Sequence, residues 1–420
     1  MKKLRKSNRD SNKSFSVPNN LKFYRTIVLS ALAVAALFSF GFWFMSLFDR
    51  SKDNLVVSSP TISQQDNVTS PTHPLSTSLV SPSSIPTNST SSISPISPVN
   101  TNSGTFIYKV LNHTNFKRIN KLNKVVNSVV EYSRDNRLPI NALSITLIDT
   151  NTGEIADYQG MKERYPASVV KMFWLVAIYQ RISMGDANES FLKHAIEQMI
   201  YKSDNQGASQ VLDTVTRTKS TSIKLAEGEL EIQKQQRQSL NDFFRQAGYS
   251  QDINVSQKTF PIPQENIMEP KGFDQQLRGN NLDKPIRNKL TTNDAARLMY
   301  EIVNAQAVSP ESSKKMRRLL TRDINPNFWK KQPPNPVDFN PVESFFGQGL
   351  PENKTENIVS KAGWTSASRQ EVAFIKSKDG KTRYILAVFG DDSAYGKSKK
   401  IFPEISALVY GKMQSITARK

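Results

Sequence analysis

The hydrophobic and polar positions of the chain first mark out one long apolar run near the amino terminus. Thr26 to Phe48 comprises 23 residues without a charged side chain. As a helix rising about 1.5 Å per residue it would be about 35 Å long, enough for a hydrocarbon core of roughly 30 Å. The pattern therefore predicts a transmembrane helix over residues 26–48.

Short alternating and helical patterns begin after residue 105 and continue to the end of the chain. Ala142–Thr150 alternates apolar and polar residues, which predicts a strand, and Glu154–Tyr158 follows a turn as its partner. A helix is predicted from Pro166 through Ile182, and a second helical stretch over 191–202. These patterns indicate strands and helices that pack around one core.

The end of the chain also has strand and helix patterns. Glu371–Lys376 and Arg383–Phe389 predict a hairpin about a turn at Asp379 and Gly380, and Lys397 to Gln414 predicts a helix. Strands at both ends with helices between them predict an α/β fold. Its antiparallel sheet would form from both ends of the domain, flanked by helices and joined by a helical subdomain.

Charge gives the apolar run an orientation. Residues 1–25 carry eight basic side chains and one acid, Asp10. Basic flanks stay on the cytoplasmic side of a membrane, so we expect a cytoplasmic leader over 1–25 and export of everything after Phe48. Bulky Phe, Trp and Met residues at the far end of the run favour an uncleaved anchor over a signal peptide. The expected location is a single-pass inner or plasma membrane, with the folded domain periplasmic or extracellular.

Residues 49–104 have the composition of a linker. Between Ser51 and Asn100, 28 of 50 residues are Ser, Thr or Pro. Such a segment has too little apolar surface to offset its conformational entropy. We therefore expect a disordered tether over 49–104 and one folded domain over 105–420.

The overall composition limits the classes of chemistry and partner. The chain has no cysteine, which excludes disulfides, cysteine nucleophiles and iron–sulfur clusters. Its three histidines lie far apart in sequence, so we expect neither a metal site nor another cofactor. Residues 105–420 carry 46 basic and 33 acidic side chains, and this balance of +13 suits anionic surroundings such as cell-wall polymers or a carboxylate substrate. We expect no nucleic-acid partner because no binding motif is present, and a lipid bilayer as partner of 26–48.

Ser168 and Lys171 are the first candidates for chemistry. Three residues apart on a helix, the hydroxyl and the amine share one face. The lysine can accept the serine proton only if its amine is neutral, which requires burial or a second cation nearby. The spacing alone is weak evidence, because Ser190–Lys193 and Ser312–Lys315 have it too.

Two further motifs follow in the sequence. In Ser203-Asp204-Asn205, Ser203 could relay a proton and Asn205 could hold a substrate amide, but all three residue types also cap helices. Lys361-Ala362-Gly363-Trp364 could bind a substrate carboxylate through its lysine, and its glycine would let a ligand approach the backbone. Taken alone, this segment is equally an ordinary surface strand.

The three motifs together are far more specific than any one of them. Ser-x-x-Lys, Ser-Asp-Asn and Lys-x-Gly, in that order, are the signature of penicillin-recognising serine enzymes. Residues from about 140 to 415 resemble class A β-lactamases, including the opening hairpin, the segment LTTNDAARLMYEIV (Leu290–Val303) and the closing strands. The resemblance implies the β-lactamase/transpeptidase-like fold.

The resemblance also implies roles for individual residues. Ser168 would be the acylated nucleophile and Lys171 its base. Ser203 would pass a proton to the β-lactam nitrogen, Asn205 would bond the ligand's side-chain amide, and Lys361 would attract the carboxylate and help keep Lys171 neutral.

The same resemblance implies an oxyanion hole in the closing motif. The backbone N–H groups of Ser168 and Trp364 would form it, and Gly363 would let the substrate approach the backbone. The chain departs from the family at Ala362, where a hydroxyl residue is usual, and at Lys219–Gln238, a charged insertion.

The base that releases the acyl group is the least certain assignment. Family hydrolases use a glutamate before the Thr-Thr segment, and Glu269-Pro270 is the nearest match, although no Leu-Asn follows it at the proper offset. Glu269 is therefore the candidate for this role, with a solvated loop carboxylate as the alternative.

Three hypotheses about function follow. The first is a membrane-anchored serine hydrolase of class A β-lactamase type that opens β-lactam rings through a Ser168 acyl-enzyme. The second is a D-alanyl-D-alanine peptidase or penicillin-binding protein that acts on cell-wall peptides and deacylates β-lactams slowly or not at all. The third is a non-catalytic cell-wall-binding module. The sequence leaves the preferred substrate, the turnover and the oligomeric state open.

Overall fold

The computed structural model describes residues 106–112, 114–331 and 339–418. The predicted leader, transmembrane helix and linker lie outside the described residues, and so does residue 105 at the expected domain boundary. Among the described helices, none combines the length and the apolar character that crossing a membrane requires.

A seven-stranded sheet forms the centre of the domain. Its strands are β1 (Lys117–Arg118), β2 (Leu143–Asp149), β3 (Glu154–Tyr158), β4 (Thr321–Arg322), β5 (Ile358–Thr365), β6 (Ser368–Lys376) and β7 (Arg383–Gly390). The strand order is β1-β3-β2-β7-β6-β5-β4, so both ends of the domain contribute, as predicted. The prediction of a wholly antiparallel sheet is wrong at one edge, where the two-residue β1 runs parallel to β3 and makes the sheet mixed.

Helices cover both faces of the sheet. They are α1 (Asn120–Asp135), α2 (Val170–Ser183), α3 (Glu189–Glu197), α4 (Asn205–Thr216), α5 (Glu227–Gln246), α6 (Gly272–Gln276), α7 (Thr292–Val303), α8 (Pro310–Leu320), α9 (Pro326–Trp329), α10 (Ser393–Lys397) and α11 (Ile401–Thr417). The charged insertion after Lys219 thus contributes to the long helix α5. The predicted helix over 397–414 begins at Ile401, and Lys397 ends the separate short helix α10.

Strand alternation divides the interior into two hydrophobic clusters. On β7, Ile385 and Phe389 belong to the cluster under the helical region, whereas Leu386 and Val388 face the cluster under α1 and α11. Successive side chains of a strand point to opposite faces, so a run of apolar residues can fill both cores. The sheet is therefore buried on both sides.

Helix α2 passes through the first of these clusters. Every residue from Val170 to Arg181 is buried. A helix that is apolar all round packs inside a domain rather than on its surface. Lys171 lies on this helix, so the fold itself removes its amine from water.

Candidate active site

Ser168 lies in a tight turn that leads into α2. A 3₁₀ turn over Ala167–Val169 precedes the helix, and Ala167 has φ of +45°, in the left-handed region that a residue with a Cβ rarely adopts. Such backbone conformations cost of order 1–3 kcal/mol and persist where the surrounding structure enforces them. The turn leaves Ser168 half-buried, and its hydroxyl makes no hydrogen bond to another described residue.

Lys171 is fully buried one helical turn later. Its Nζ donates to the carbonyl oxygen of Ser203, and to Oδ1 of Asn205 at 2.6 Å. Burial lowers the pKa of Lys171 to about 7, against the opposing effect of the Asp204 carboxylate. A neutral Lys171 amine is therefore accessible near neutral pH. A neutral amine that donates two hydrogen bonds keeps its lone pair to accept a proton.

The backbone shape at Ser203 brings this residue to the lysine. A π-helical turn over Gln198–Lys202 ends α3, and Ser203 follows with φ of +57°. Asp204 then caps α4, its carboxylate accepting a bond of 2.7 Å from the Gly207 N–H. The capping alternative for this motif is correct for Asp204, and the turn it fixes presents Ser203 and Asn205 to the site.

The amide of Asn205 connects three parts of the site. Its Oδ1 accepts bonds from Lys171 and from the Thr259 hydroxyl at 2.8 Å, while its Nδ2 donates to the Pro261 carbonyl oxygen at 2.7 Å. An amide that accepts from one side and donates to the other is fixed in one orientation. Asn205 thus joins the nucleophile helix to the loop at 259–261.

Lys361 approaches Ser203 from β5. Its Nζ donates to Oγ of Ser203 at 2.9 Å and to the Ala362 carbonyl at 2.8 Å. Burial lowers the pKa of Lys361 well below its usual value, and the nearby charges of Lys171 and Arg322 lower it further, while Glu371 opposes them. The fold therefore places two buried amines on either side of one serine.

Strand β5 passes very close to the nucleophile turn. A Cβ added to Gly363 would lie 2.7 Å from the Ser168 backbone nitrogen and 2.9 Å from the Pro166 oxygen. Only glycine fits there without a backbone shift. The next residue, Trp364, has 49% of its surface exposed and its indole N–H donates to the Gly396 carbonyl at 2.7 Å. The backbones of Ser168 and of the Gly363–Trp364 segment therefore lie side by side, as an oxyanion hole requires.

A cavity of about 180 Å³ connects these residues. Its lining combines the predicted site residues with aromatic and proline side chains: Tyr165, Ala167, Ser168, Ser203, Asn205, Thr259, Phe260, Pro261, Phe339, Trp364 and Thr365. The structure thus places Ser168, Lys171, Ser203, Asn205, Lys361, Gly363 and Trp364 in one site.

The structure does not bring Glu269 to this site. The residue is exposed on the loop between the short turn Pro263–Glu265 and α6, and it is not part of the cavity lining. The wall next to Asn205 consists instead of Thr259 and the cis-linked pair Phe260–Pro261. The Glu269 carboxylate is open to solvent at this loop position.

A buried ionic network behind this wall was not foreseen from the sequence. Lys258 is 3% exposed and pairs with Asp213 at 2.5 Å, and Arg237 of α5 pairs with Asp213 at 3.0 Å and with Asp274 at 3.4 Å. Residues from three separate segments thus hold the chain just before Thr259. Their separation in sequence gave no signal of the contact.

The other two Ser-x-x-Lys matches lie outside the cavity. On the surface, Asn188 caps α3 and accepts a hydrogen bond from the Ser190 hydroxyl, and Ser312 accepts one from Ser309 at the start of α8. Lys315 forms an ion pair with Glu189 at 2.8 Å. These contacts give both matches ordinary structural roles.

Solved structures of beta-lactamases and of PBP-A are similar to this chain at low sequence identity. A beta-lactamase from Sphaerobacter thermophilus DSM 20745 is 18% identical, with 71% of this chain and 98% of that chain covered and a TM-score of 0.47. A structure of PBP-A is 15% identical, with coverage of 72% and 100% and a TM-score of 0.47. A class A beta-lactamase of the last common ancestor of Gram-negative bacteria is 17% identical, with coverage of 68% and 98% and a TM-score of 0.45.

Sequence comparison adds the family. No curated protein matches the chain significantly. The model of the beta-lactamase enzyme family matches residues 121–413, which contain all three motifs and more than half of the chain. The chain belongs to the beta-lactamase enzyme family.

Proposed function

We propose that this protein is a penicillin-binding serine enzyme, in which Ser168 is acylated by β-lactams and cell-wall peptides and the β-lactam acyl group is released slowly. The observation that carries the proposal is the cavity itself. Two buried lysines meet at Ser203 beside the nucleophile turn, while no carboxylate lines the cavity among the described residues.

Acylation follows from the two amines. Neutral Lys171 accepts the proton of Ser168 as its oxygen attacks the substrate carbonyl carbon. The C–N bond of the lactam or peptide then breaks, and the Ser203 hydroxyl donates its proton to the leaving nitrogen. The Lys361 ammonium replaces the proton that Ser203 gives up, and Lys171 keeps the proton taken from Ser168. The two amines together therefore carry the same charge as before, and the leaving nitrogen has gained one proton.

Charge stabilisation uses the backbone and the second lysine. The N–H groups of Ser168 and Trp364 would receive the oxyanion, and one such donor contributes about 3 kcal/mol to the transition state. Lys361 would bind the substrate carboxylate. The negative charge of the carboxylate would then favour the charged form of the Lys361 amine, which burial disfavours. Alanine at position 362 offers this carboxylate no hydroxyl.

Release of the acyl group needs a base to activate water, and such a base contributes about 10²–10⁴ in rate. The described cavity wall offers Thr259, Phe260 and Pro261 where Asn205 faces the loop. A hydroxyl, a phenyl ring and a proline cannot serve as that base at neutral pH. This favours the penicillin-binding hypothesis over rapid β-lactam hydrolysis.

An acyl-enzyme time course tests the proposal. The full chain in detergent is mixed with benzylpenicillin, and intact mass is followed for hours. We expect a one-to-one adduct of the whole penicillin mass on the peptide containing Ser168, with little loss of adduct. The Ser168→Ala chain should show none, whereas Ser190→Ala, at a surface match of the same motif, should label normally.

The other outcomes of this experiment are equally specific. Rapid disappearance of the adduct with turnover of nitrocefin would identify a β-lactamase and overturn slow release. Absence of any adduct on a folded protein would favour the non-catalytic wall-binding module. An adduct that survives Ser168→Ala would refute the nucleophile.

We further propose that residues 26–48 anchor the protein in a membrane with the catalytic domain outside. The support is the uncharged length of the segment and its basic flank. Membrane fractionation tests it: the unaltered chain should pellet with membranes and resist alkaline extraction, and Ala36→Lys with Leu37→Lys should release it. Protease added to intact spheroplasts should cleave the domain if it lies outside, and its protection would contradict that orientation.

A further inference from the structure

A second and much larger groove adjoins the catalytic cavity. Its volume is about 1590 Å³, and Phe339 lines both spaces. Cationic side chains dominate its lining: Lys202, Lys314, Arg317, Arg318, Arg322, Lys330 and Lys399. Only Asp323 and Glu343 oppose them among its described lining residues. The groove is therefore strongly positive and borders the catalytic cavity at Phe339.

The cations on its α8 side are free to bind a ligand. Lys314, Arg317 and Arg318 are exposed, and their spacing of three and four residues places them along one face of the helix. Within the described part of the chain, no groove cation forms an ion pair with a carboxylate. A row of unpaired cations along a groove attracts a ligand that carries several negative charges.

Exposed aromatic rings lie among these charges. Phe328 has 57% of its surface exposed and Tyr201 has 42%. The guanidinium carbon of Arg322 is 5.9 Å from the centre of the Tyr201 ring, and Arg322 is itself held by the Ile200 carbonyl at 2.8 Å. A supported ring that remains open to solvent offers a flat apolar face, such as the C–H face of a sugar requires.

We propose that this groove binds an anionic glycan, whose phosphate or carboxylate groups contact Lys314, Arg317 and Arg318 while sugar rings pack on Phe328 and Tyr201. This goes beyond the proposed acyl transfer, because no atom of Ser168 takes part. Single-stranded nucleic acid also combines charge with stacking. The glycan is favoured because Phe339 borders both the groove and the cavity. On the proposed function, a wall polymer bound in the groove would hold its attached peptide near Ser168.

Binding is measured on the full chain in detergent, in its Ser168→Ala form, so that a failure of acylation cannot affect the result. The probes are a phosphodiester-linked hexasaccharide, a hexagalacturonate, a neutral chitohexaose and a hexathymidylate. We expect one of the two anionic glycans to bind more tightly than the other probes, and which one does so identifies the anionic group.

Charge-matched variants locate the binding. The triple variant Lys314→Gln, Arg317→Gln, Arg318→Gln should weaken glycan binding by about tenfold or more, since several exposed charge contacts are lost together. The control Lys117→Gln, Lys124→Gln, Lys378→Gln removes the same charge from exposed positions outside the groove and should change binding less than about twofold. The basic leader is unchanged in both, so its contribution cancels.

An aromatic variant tests the sugar contact. Phe328→Ser keeps every cation and should weaken binding of the anionic glycan, because the sugar rings lose an exposed apolar face. Equal loss in both triple variants, no binding by either anionic glycan, or hexathymidylate binding as tightly as the glycan would each overturn the proposal. Penicillin labelling of the triple variant with Ser168 intact reports that the catalytic site is still folded.

Discussion

Lys361 donates a hydrogen bond of 2.9 Å to the hydroxyl of Ser203, whose carbonyl oxygen in turn accepts one from Lys171. One residue in the left-handed conformation thus separates two buried amines. The charge of Lys171 disfavours a charge on Lys361, which adds to the effect of burial on the pKa of Lys361. At neutral pH the pair therefore favours a state in which at least one of the two amines is neutral. A neutral amine can accept the proton of a serine nucleophile.

Acylation should rise with pH through the titration of Lys171. Its pKa of about 7 means that the protonated, inactive amine predominates below neutrality and the neutral base above it. We expect the second-order rate of penicillin labelling to increase tenfold per pH unit below about pH 6 and to level off above about pH 8. Labelling reactions quenched at fixed times from pH 5 to 9 measure this rate constant. A rate that is flat across neutrality would contradict Lys171 as the base.

A carboxylate at position 205 should move this profile. Asn205→Asp places a negative charge next to the Lys171 amine, 2.6 Å from the present amide oxygen. An opposite charge at that distance raises the pKa of the lysine, by about 1–3 units. The midpoint of acylation should shift to higher pH by that amount.

The control for this shift is Asn205→Leu, which removes the same hydrogen bonds without adding charge. It should lower the rate of acylation without moving the midpoint to higher pH. If both variants shift the midpoint equally, the shift comes from lost hydrogen bonds and the electrostatic argument is wrong.

The fold and most of the site could be predicted from local patterns. The alternation over Leu143–Asp149 predicts the strand, although its polar positions are buried as well. The apolar run around Lys171 predicts a helix inside the core. The order of the three motifs then identified the residues that meet. The short parallel strand β1 escaped prediction, because two exposed residues carry no periodicity.

The wall opposite Asn205 could not be predicted, for a physical reason. Thr259 and Phe260 reach the cavity because Lys258 is held by Asp213, and Asp213 also pairs with Arg237. These contacts join residues from distant segments, and neither spacing nor composition encodes them. The Glu-Pro sequence makes Glu269 the candidate base, but the structure leaves this residue exposed on the loop before α6.

Introducing a carboxylate into the wall should create the missing base. Phe260 lines the cavity beside Asn205, so Phe260→Glu offers a group able to activate water. Release of the penicilloyl group should become faster by up to about 10²–10⁴, and nitrocefin turnover should appear. Phe260→Gln has the same shape without the base and should retain the long-lived adduct. Equal release rates for both variants would show that the position does not reach the acyl group.

Gly363→Ala should impair acylation without unfolding the protein. The new Cβ would meet the Ser168 backbone nitrogen at 2.7 Å, so either β5 or the nucleophile turn must shift. Misplacing a reacting group by about 1 Å can cost about 10² in rate. Gly411→Ala adds a methyl group in open space on α11 and serves as the control. Normal labelling by Gly363→Ala would refute the requirement for close approach.

Glu371 should make the stability of the domain fall as pH rises. Burial raises the pKa of this carboxyl to about 8 in the folded protein, although Arg369 and Arg322 oppose the shift, while its ordinary value is 4.5. Between those two values the unfolded chain loses the proton and the folded chain keeps it, so the free energy of unfolding falls with rising pH until about pH 8.

The variant Glu371→Gln tests this, because its amide cannot ionise. It retains an acceptor for the Phe346 N–H, which donates to the Glu371 carboxyl group at 2.7 Å in the unaltered protein. The melting temperature of the variant relative to the unaltered protein should therefore increase from pH 5 to pH 8, whereas Glu352→Gln, at an exposed loop position, should show a constant difference. A constant difference for Glu371→Gln as well, measured by calorimetry across the same range, would mean that the folded protein holds this carboxylate ionised between its two arginines.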